Sequence, residues 1–482
     1  MGIFFDYLGV EYLWHALIMP STKRNGMTIG KAMSLLVHSN DDEGRLVPQL
    51  HEAAAWLASM SPEVFRAVMG TDPEVLLRSD VASTDVEGKA ALVGTLLRLY
   101  DKGKLLDIRL APRAQYRKLE HPGLAEQLRP YIVNADKELV VRRVSLDIAE
   151  SCELRSLQKD AAEVALDASQ ERAVRKEAAR FVARVGDGPT RARLMPLALG
   201  TIGDDPDDDL KGHGLRAVWP EHVGAEELFG MLTPPKMANY MGAYNSFLTH
   251  DLTDGLNTAD LPTALAWVEG RGSDDEEPFR FGKLADQIME QAWAKLPNPG
   301  VAPAFARAAL ARLRRHEELV KERSEVFAAT GEPTFSERIA ADDYRRRLLL
   351  EEIITHLKPE DEAYLLMHWQ TSLVIKEDVG WLVERLGSEV SNRKKETLAK
   401  LVGSTFHLWD DERHELVYLA HLDDPTLAHE VSRYFAPIEL GSKEAETQRQ
   451  FHERSSRLKQ GDEDTLTLVH VQAAFSGMDR CS

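Results

Sequence analysis

Histidine spacing near the C-terminus offers the best opportunity for metal chemistry in this chain. His407, His414, His421 and His429 recur at steps of seven or eight residues, which keeps side chains roughly on one face of a helix. Imidazoles in such a row could ligate zinc. However, the proline at position 425 is expected to break the helix between the third and fourth histidines. We therefore expect four partly exposed histidines on amphipathic helices, and we retain an unrecognised metal-dependent hydrolase as an alternative.

Motifs for phosphate binding and nucleophilic catalysis are incomplete. The segment from Gly26 to Ala32 has one residue too few between its glycines, and Ala32 stands where a Ser or Thr would hold magnesium. Cys152 lies between Glu150 and Glu153, and such an acidic setting raises a thiol pKa and weakens the nucleophile. The sequence contains no G-x-S-x-G motif. We therefore expect a protein that is not an enzyme and that needs no cofactor and no metal.

Two arginine clusters are the candidate partner-binding residues. They are Arg312, Arg314 and Arg315 in the first cluster, and Arg345, Arg346 and Arg347 in the second. Acidic residues flank the second cluster within one helical turn, so ion pairs inside the helix explain most of its charge. Contact with an acidic partner is the functional alternative, because guanidinium groups bind carboxylates in a bidentate manner.

Composition restricts the partners that the chain can bind. The 482 residues include 59 Lys and Arg against 78 Asp and Glu, a formal net charge of -19. A surface this acidic repels nucleic acids and anionic membranes, so a protein partner is expected. Only two cysteines occur, and no apolar run approaches the roughly 20 residues of a membrane span. These features indicate a reducing, cytoplasmic location.

The period of the apolar residues is helical nearly everywhere. Between Thr84 and Gly103 the apolar residues recur with the steps of one helix face. Thr84 and Glu87 fit a capping box at the start of this helix, and Gly103 is placed to end it in a left-handed conformation. Alternating runs typical of strands are too scarce to build a sheet. The sequence therefore predicts an all-α fold.

Internal repetition indicates how these helices are arranged. Arg142, Arg175 and Lys211 follow similar acidic turns and are spaced by 33 and then 36 residues. This step suits a pair of antiparallel helices that must stack on its neighbours to bury its apolar faces. The pattern resembles HEAT repeats, which form a right-handed superhelical α-solenoid. Basic residues at this position are expected to be structural and to bind the acidic turn of their own or the next unit.

The repeat and the composition divide the chain into five predicted segments. They are a helical N-terminal segment (1–50), a helical bundle (51–120), HEAT-like repeats (121–225), further divergent helical repeats (226–440) and a polar C-terminal tail (441–482).

Several stretches resemble the helical region that follows the ATPase core in large bacterial NACHT-type STAND proteins. They are residues 11–13, 56–58, 62–65, 72–80, 121–125 and 127–130, together with the HEAT-like units that follow. Residues 1–50 thereby resemble the end of a STAND ATPase module. In that family the ATPase drives oligomerisation, the solenoid senses or restrains, and many members are thought to act in anti-phage defence. The resemblance covers packing motifs only, since Walker A and Walker B sequences are absent.

These observations favour a non-catalytic helical-repeat module that binds or senses a protein partner. The first alternative is a truncated remnant, or a split subunit that associates with a separate STAND ATPase and has no activity of its own. The metal-dependent hydrolase is the second alternative.

Overall fold

A computed structural model gives the fold of this protein. It describes residues 9–12, 14–15, 28–37, 44–79, 85–105, 113–237, 240–270, 281–315, 318–321, 333–358, 361, 363–367, 371–408, 417, 419–420, 422–435, 440–443, 445–447 and 449–450. Residues in these ranges form helices and connecting turns, and none of them lies in a β-strand; one isolated antiparallel bridge joins Val37 and Leu46. The prediction of an all-α protein is therefore confirmed.

The α-helices are labelled in chain order. Those of the first 220 residues are α1 (Ile29–Leu36), α2 (His51–Met60), α3 (Pro62–Thr71), α4 (Val86–Asp101), α5 (Leu124–Val133), α6 (Leu139–Ser151), α7 (Gln158–Leu166), α8 (Arg172–Val185), α9 (Gly188–Ala192), α10 (Met195–Ala198) and α11 (Asp209–Val218). The remainder are α12 (Ala225–Met231), α13 (Ala243–Ser246), α14 (Leu252–Gly255), α15 (Leu261–Gly270), α16 (Gly282–Ala294), α17 (Val301–Leu313), α18 (Phe335–Ala341), α19 (Asp343–His356), α20 (Val379–Ser388), α21 (Asn392–Leu408) and α22 (Pro425–Phe435).

Local sequence explains where individual helices begin and end. Helix α3 starts at Pro62, and the hydroxyl of Ser61 accepts a hydrogen bond from the amide of Val64. Helix α4 begins one residue later than the predicted capping box requires, because the carboxylate of Asp85 caps it by accepting from the amide of Gly88. Gly103 follows this helix with φ at +63°, which confirms the predicted left-handed end.

The chain divides into two compact units, Met1–Phe335 and Ser336–Ser482. This boundary falls within the predicted segment 226–440. In the first unit, α5 packs against α6, α7 against α8, and α10 against α11. Each of these pairs also contacts the next, since α6 packs on α8 and α8 packs on α11. Helices α6, α8 and α11 therefore form a continuous row.

Two glycines allow α11 to approach its neighbours closely. A Cβ atom at Gly214 would lie 2.8 Å from the carbonyl carbon of Leu197 in α10 and would also strike the amide nitrogen of Ala198. A Cβ atom at Gly212 would lie 2.6 Å from the Cα atom of Tyr244 in α13. The absence of both side chains lets the backbones of three helices meet around α11.

The second unit contains all but the first residue of α18, together with the helices that follow it. Helix α20 packs against α21, and α21 contacts both α19 and α22. Their shared core contains Leu349, Leu350, Ile353, Leu382, Leu386 and Leu398. Across the described ranges of both units, none of the helices combines the length and the apolar character required to cross a bilayer.

Candidate interaction surface

Arg142 connects three parts of the first unit. It is the fourth residue of α6 and is buried. Its Nη2 atom donates to the carbonyl oxygen of Ile132, the penultimate residue of α5, at 3.0 Å, and to Oε1 of Gln170 at 2.7 Å. Gln170 in turn donates to the carboxylate of Asp167 at 2.9 Å. Arg142 thus reaches Asp167, in the acidic turn of the following unit, through Gln170.

Arg175 makes the same connection one step along the chain. It is the fourth residue of α8 and is also buried. Its Nε atom donates at 3.0 Å to the carbonyl oxygen of Ala165, the penultimate residue of α7, and its Nη2 atom donates at 3.2 Å to Ile202. The guanidinium lies against Gly203, which has φ at +74° and no room for a Cβ atom. Backbone carbonyls therefore take the place of the predicted acidic partner.

Lys211 departs from this arrangement. Its ammonium donates to the hydroxyl of Thr233 at 2.6 Å and lies 5.1 Å from the ring centroid of Tyr244. The acidic turn binds the backbone of Lys211, because the carboxylate of Asp205 accepts from its amide at 2.9 Å. Burial lowers the pKa of the ammonium, and the charge of Asp208 acts against this shift. The side chain thus joins α11 to the segment after α12.

Arg346 belongs with Arg142 and Arg175 rather than with a partner-binding surface. It is the fourth residue of α19, and its Nη1 atom donates at 2.6 Å to the carbonyl oxygen of Ala340, the penultimate residue of α18. Its Nε and Nη2 atoms each donate at 2.9 Å to the carboxylate of Asp378, which lies 32 residues further along the chain. Since its side chain is fully buried, the structure corrects the prediction that Arg346 meets a partner.

Arg312 is the second predicted contact residue that lies inside the fold. It is buried near the end of α17, and its Nη2 atom contacts Oδ1 of Asp286 at 2.6 Å. Burial raises the pKa of Asp286, while the nearby charge of Arg312 lowers it. This pair joins α16 to α17, so we correct the prediction for Arg312 as well.

The other predicted arginines remain at least partly exposed. Arg345 pairs with Asp342 at 2.5 Å within its own helix turn. Arg347 contacts Asp378 at 3.0 Å, and its guanidinium lies 5.7 Å from the ring centroid of Trp381. Arg314 is half-buried and Arg315 is exposed. Partner binding by these four residues remains a prediction.

A denser set of charges links α6 to α8. Arg180 lies at its centre and contacts the carboxylates of Asp147, Glu150 and Glu177, with a distance of 2.6 Å from its Nε atom to Glu150. Arg184 contacts Glu150 at 3.1 Å from one turn further along α8. Burial acts to lower the pKa of Arg180, but the three carboxylates outweigh it and raise the pKa. The guanidinium is therefore held firmly in its charged form.

The same pattern continues from α8 to the start of α11. Arg172 contacts Asp207 at 2.7 Å, and Lys176 contacts both Asp207 and Asp209. Burial acts to raise the pKa of Asp207, but a hydrogen bond from Arg172 and the charge of Lys176 lower it overall. Asp209 also accepts from the hydroxyl of Tyr240 at 2.7 Å. The charged row thus extends across three neighbouring helices.

His213 is buried within this row, one helical turn after Asp209. Burial, together with the positive charges of Arg216 and Arg180, lowers its pKa to about 3, although Asp209 acts in the opposite direction. Among the described residues, its Nδ1 atom has no hydrogen-bond partner. The imidazole is therefore neutral at physiological pH and acts as a packing group between charged neighbours.

A cavity of about 160 Å³ opens on the face formed by α6 and α8. It is lined by Arg143, Arg172, Ala173, Lys176 and Glu177. Arg143 contacts Glu177 at 3.7 Å across it. A second cavity, of about 170 Å³, lies in the other unit, and its lining includes Glu351, Trp381, Arg385 and Lys394. The first cavity carries more positive than negative side chains and can accommodate an anion.

Of the residues considered for metal binding and nucleophilic catalysis, the structure describes the side chains of His429 and Cys152. His429 is exposed on α22, the side chain of His407 is not among those described, and His414 and His421 lie outside the described residues. Within the described ranges, no group of three or more His, Cys, Asp or Glu side chains could hold a metal ion. Cys152 is buried, its thiol donates to the carbonyl oxygen of Tyr116, and burial raises its pKa to about 12.

The segment whose sequence partly matches a phosphate-binding motif, from Gly26 to Ala32, includes the start of a capped helix. The hydroxyl of Thr28 accepts from the amide of Lys31 at 3.3 Å, and α1 runs on through Ala32. Gly26 lies outside the described residues. Thr28 therefore serves as the N-cap of α1, and the rest of the described segment forms the first turn of this helix.

Sequence reasoning did not identify the charged row of α6, α8 and α11. One signal was available, since Asp147 and Arg180 lie 33 residues apart and Lys176 and Asp209 share that separation. The separation equals the first repeat step, from Arg142 to Arg175, and so places opposite charges on neighbouring helices.

Comparison of the chain with known protein families, with curated proteins and with solved structures found no match.

Proposed function

We propose that this chain is a non-catalytic helical-repeat module that binds a protein partner. The observation that carries the proposal is the shared position of Arg142, Arg175 and Arg346. Each is the fourth residue of its helix and donates to the penultimate carbonyl of the helix before it. Each also reaches a residue 27 to 32 positions further along the chain. A recurring contact of this kind is typical of chains built from stacked helix pairs.

Such a chain fits an α-solenoid of antiparallel, HEAT-like helix pairs with a right-handed superhelical path. Each helix pair buries its apolar face only against its neighbours, so the second helices of successive pairs form an extended surface. Extended surfaces recognise proteins through many distributed contacts rather than through one enclosed pocket. The row of α6, α8 and α11 is the part of the first unit that supports this role.

Affinity capture from the native host tests the binding function directly. The tagged full chain is used as bait in extracts prepared with and without phage infection, and bound proteins are identified by mass spectrometry. We expect at least one protein that is enriched over an unrelated helical bait and whose binding saturates with the purified components. Recovery of no specific protein under either condition would contradict the proposed function.

Association with a separate STAND ATPase is the narrower form of this proposal. It is supported by the stretches that resemble the helical region of such proteins, including residues 121–125 and 127–130. Co-expression with a Walker-containing protein from an adjacent reading frame, followed by co-purification, tests it. The association would be contradicted if the host genome encodes no Walker-containing protein next to this chain. It would also be contradicted if the bait retains no ATPase.

A further inference from the structure

Positive and negative groups lie at different depths on the face formed by α6, α8 and the start of α11. The side chain of Arg172 is 42% exposed, whereas that of its partner Asp207 is 11% exposed. The side chain of Arg184 is 60% exposed, and that of its partner Glu150 is 6% exposed. A molecule that approaches this face therefore meets guanidinium groups first, with their counter-charges beneath them.

The buried carboxylates position these cations without exhausting their donors. A guanidinium has five N–H donors, and within the described part of the chain Arg172 makes its ion pair through Nη1 to Asp207. Because the head group is already held in place, a ligand that binds it loses little additional conformational freedom.

The cavity beside Arg172 gives the ligand a place to enter. Its volume is about 160 Å³, several times the roughly 30 Å³ that a water molecule occupies in the liquid. Arg143 and Lys176 line it together with Arg172, and the small side chain of Ala173 leaves the space open. A single carboxylate side chain fits a cavity of this size, whose lining holds three cations and one carboxylate, that of Glu177.

The local charge balance favours isolated carboxylates over a phosphate polymer. Arg172, Lys176 and Arg184 each already have a carboxylate partner, so the face lacks the large positive excess that a phosphate polymer requires. Duplex DNA carries about one charge per 1.7 Å and requires a much larger positive excess. The net charge of -19 adds repulsion, although charges beyond about 8 Å are largely screened at physiological salt.

We propose that the face defined by Arg143, Arg172, Lys176 and Arg184, here called the arginine face, binds an acidic peptide segment of a protein partner. This inference rests on the proposed binding function and adds the chemistry of the partner. Carboxylates of the segment bind the exposed guanidinium groups, and one of them enters the cavity.

Fluorescence anisotropy with a fluorescein-labelled decaglutamate peptide tests the arginine face. The full chain is titrated at 50 mM and 150 mM salt, as is the double variant Arg172→Gln/Arg184→Gln. The matched control is Arg193→Gln/Arg307→Gln, which removes two arginines with side chains 41% and 40% exposed at other places in the first unit. Arg172→Lys/Arg184→Lys keeps the charge, and circular dichroism melting verifies that each variant is folded.

We expect the wild-type chain to bind the peptide and the Gln double variant to bind at least tenfold more weakly. The control is expected to stay within twofold of wild type, and the Lys variant to retain more affinity than the Gln variant. Absence of binding at 50 mM salt, or equal losses in both Gln double variants, would overturn the proposal. Tighter binding of labelled duplex DNA, or displacement of the peptide by less inorganic phosphate than glutamate, would assign the face to phosphates instead and also overturn it.

Affinity capture with the Arg172→Gln/Arg184→Gln bait separates this inference from the proposed function. A partner that binds both baits equally leaves the binding function intact and removes the arginine face from it. If the peptide binds to the arginine face but no partner is captured, the face binds acidic peptides and the proposed protein-binding function is contradicted.

Discussion

Arg346 and Asp378 are joined by two nitrogen–oxygen contacts of 2.9 Å, and both side chains are fully buried. The carboxylate also accepts from the amide of Ile375 at 3.2 Å, and the guanidinium donates to the carbonyl of Ala340. Burying two charges is unfavourable unless nearly all of their donors and acceptors are satisfied. The geometry meets this condition, so the pair fixes the start of α19 against the turn before α20.

Removal of one member of this pair should unfold the second unit readily. We expect Arg346→Leu to lower the free energy of unfolding by about 3–5 kcal/mol, because Asp378 would remain buried with an uncompensated charge. Urea denaturation followed by circular dichroism measures the change. Arg345→Gln is the matched control, since its pair with Asp342 is partly exposed and should contribute at most about 1 kcal/mol. Equal effects of the two variants would contradict the structural role of Arg346.

Close approach of α10 and α11 depends on Gly214. We expect Gly214→Ala to reduce stability by about 1–3 kcal/mol, because the new Cβ atom would overlap the backbone of Leu197 and Ala198. Gly230 provides the control, since a Cβ atom there meets nothing within 4 Å. Gly230→Ala should be stabilising by up to about 1 kcal/mol through helix propensity. Thermal melts of the two variants measure these changes. A higher melting temperature for both variants than for wild type would refute the close packing.

Acid should destabilise the first unit through His213. Its pKa is about 3 in the folded chain and 6.5 in the reference state, so the unfolded chain takes up the proton first as the pH falls. The neutral imidazole therefore leaves the free energy of unfolding unchanged above pH 6.5. Between pH 6.5 and pH 3 this free energy decreases, and at pH 5 it is about 2 kcal/mol lower than at neutral pH. Urea denaturation of wild type and His213→Gln at pH 7.5, 6 and 5 measures the difference. If the two proteins lose stability in parallel, the imidazole does not cause the effect.

The thiol of Cys152 should resist alkylation in the folded protein. A pKa of about 12, caused mainly by burial and secondarily by the charge of Glu120, leaves very little thiolate at pH 8. We expect iodoacetamide to modify it about a thousandfold more slowly than an ordinary exposed thiol. Peptide mapping by mass spectrometry, before and after addition of guanidinium chloride, measures this protection. Rapid labelling of the folded chain would show that the site is open.

Sequence alone determined the class of the fold and several local features. The helical period, the start of α3 at Pro62 and the left-handed Gly103 all depend on residues within one or two turns of each other. Because such signals are local, they can be recognised from the sequence alone. The repeat step also singled out Arg142 and Arg175, whose bonds connect elements within the fold.

Only the tertiary structure decided which charged residues face inward. Arg346 and Arg347 are adjacent in a run of three arginines, yet Arg346 is buried and Arg347 is partly exposed. The difference arises from Asp378, 32 residues away, and from which side of α19 meets the core. Likewise, the sequence does not show which of Arg172 and Asp207 is more buried, but packing places the carboxylate below the guanidinium. Depth below the surface depends on contacts between distant segments, and a local pattern does not record it.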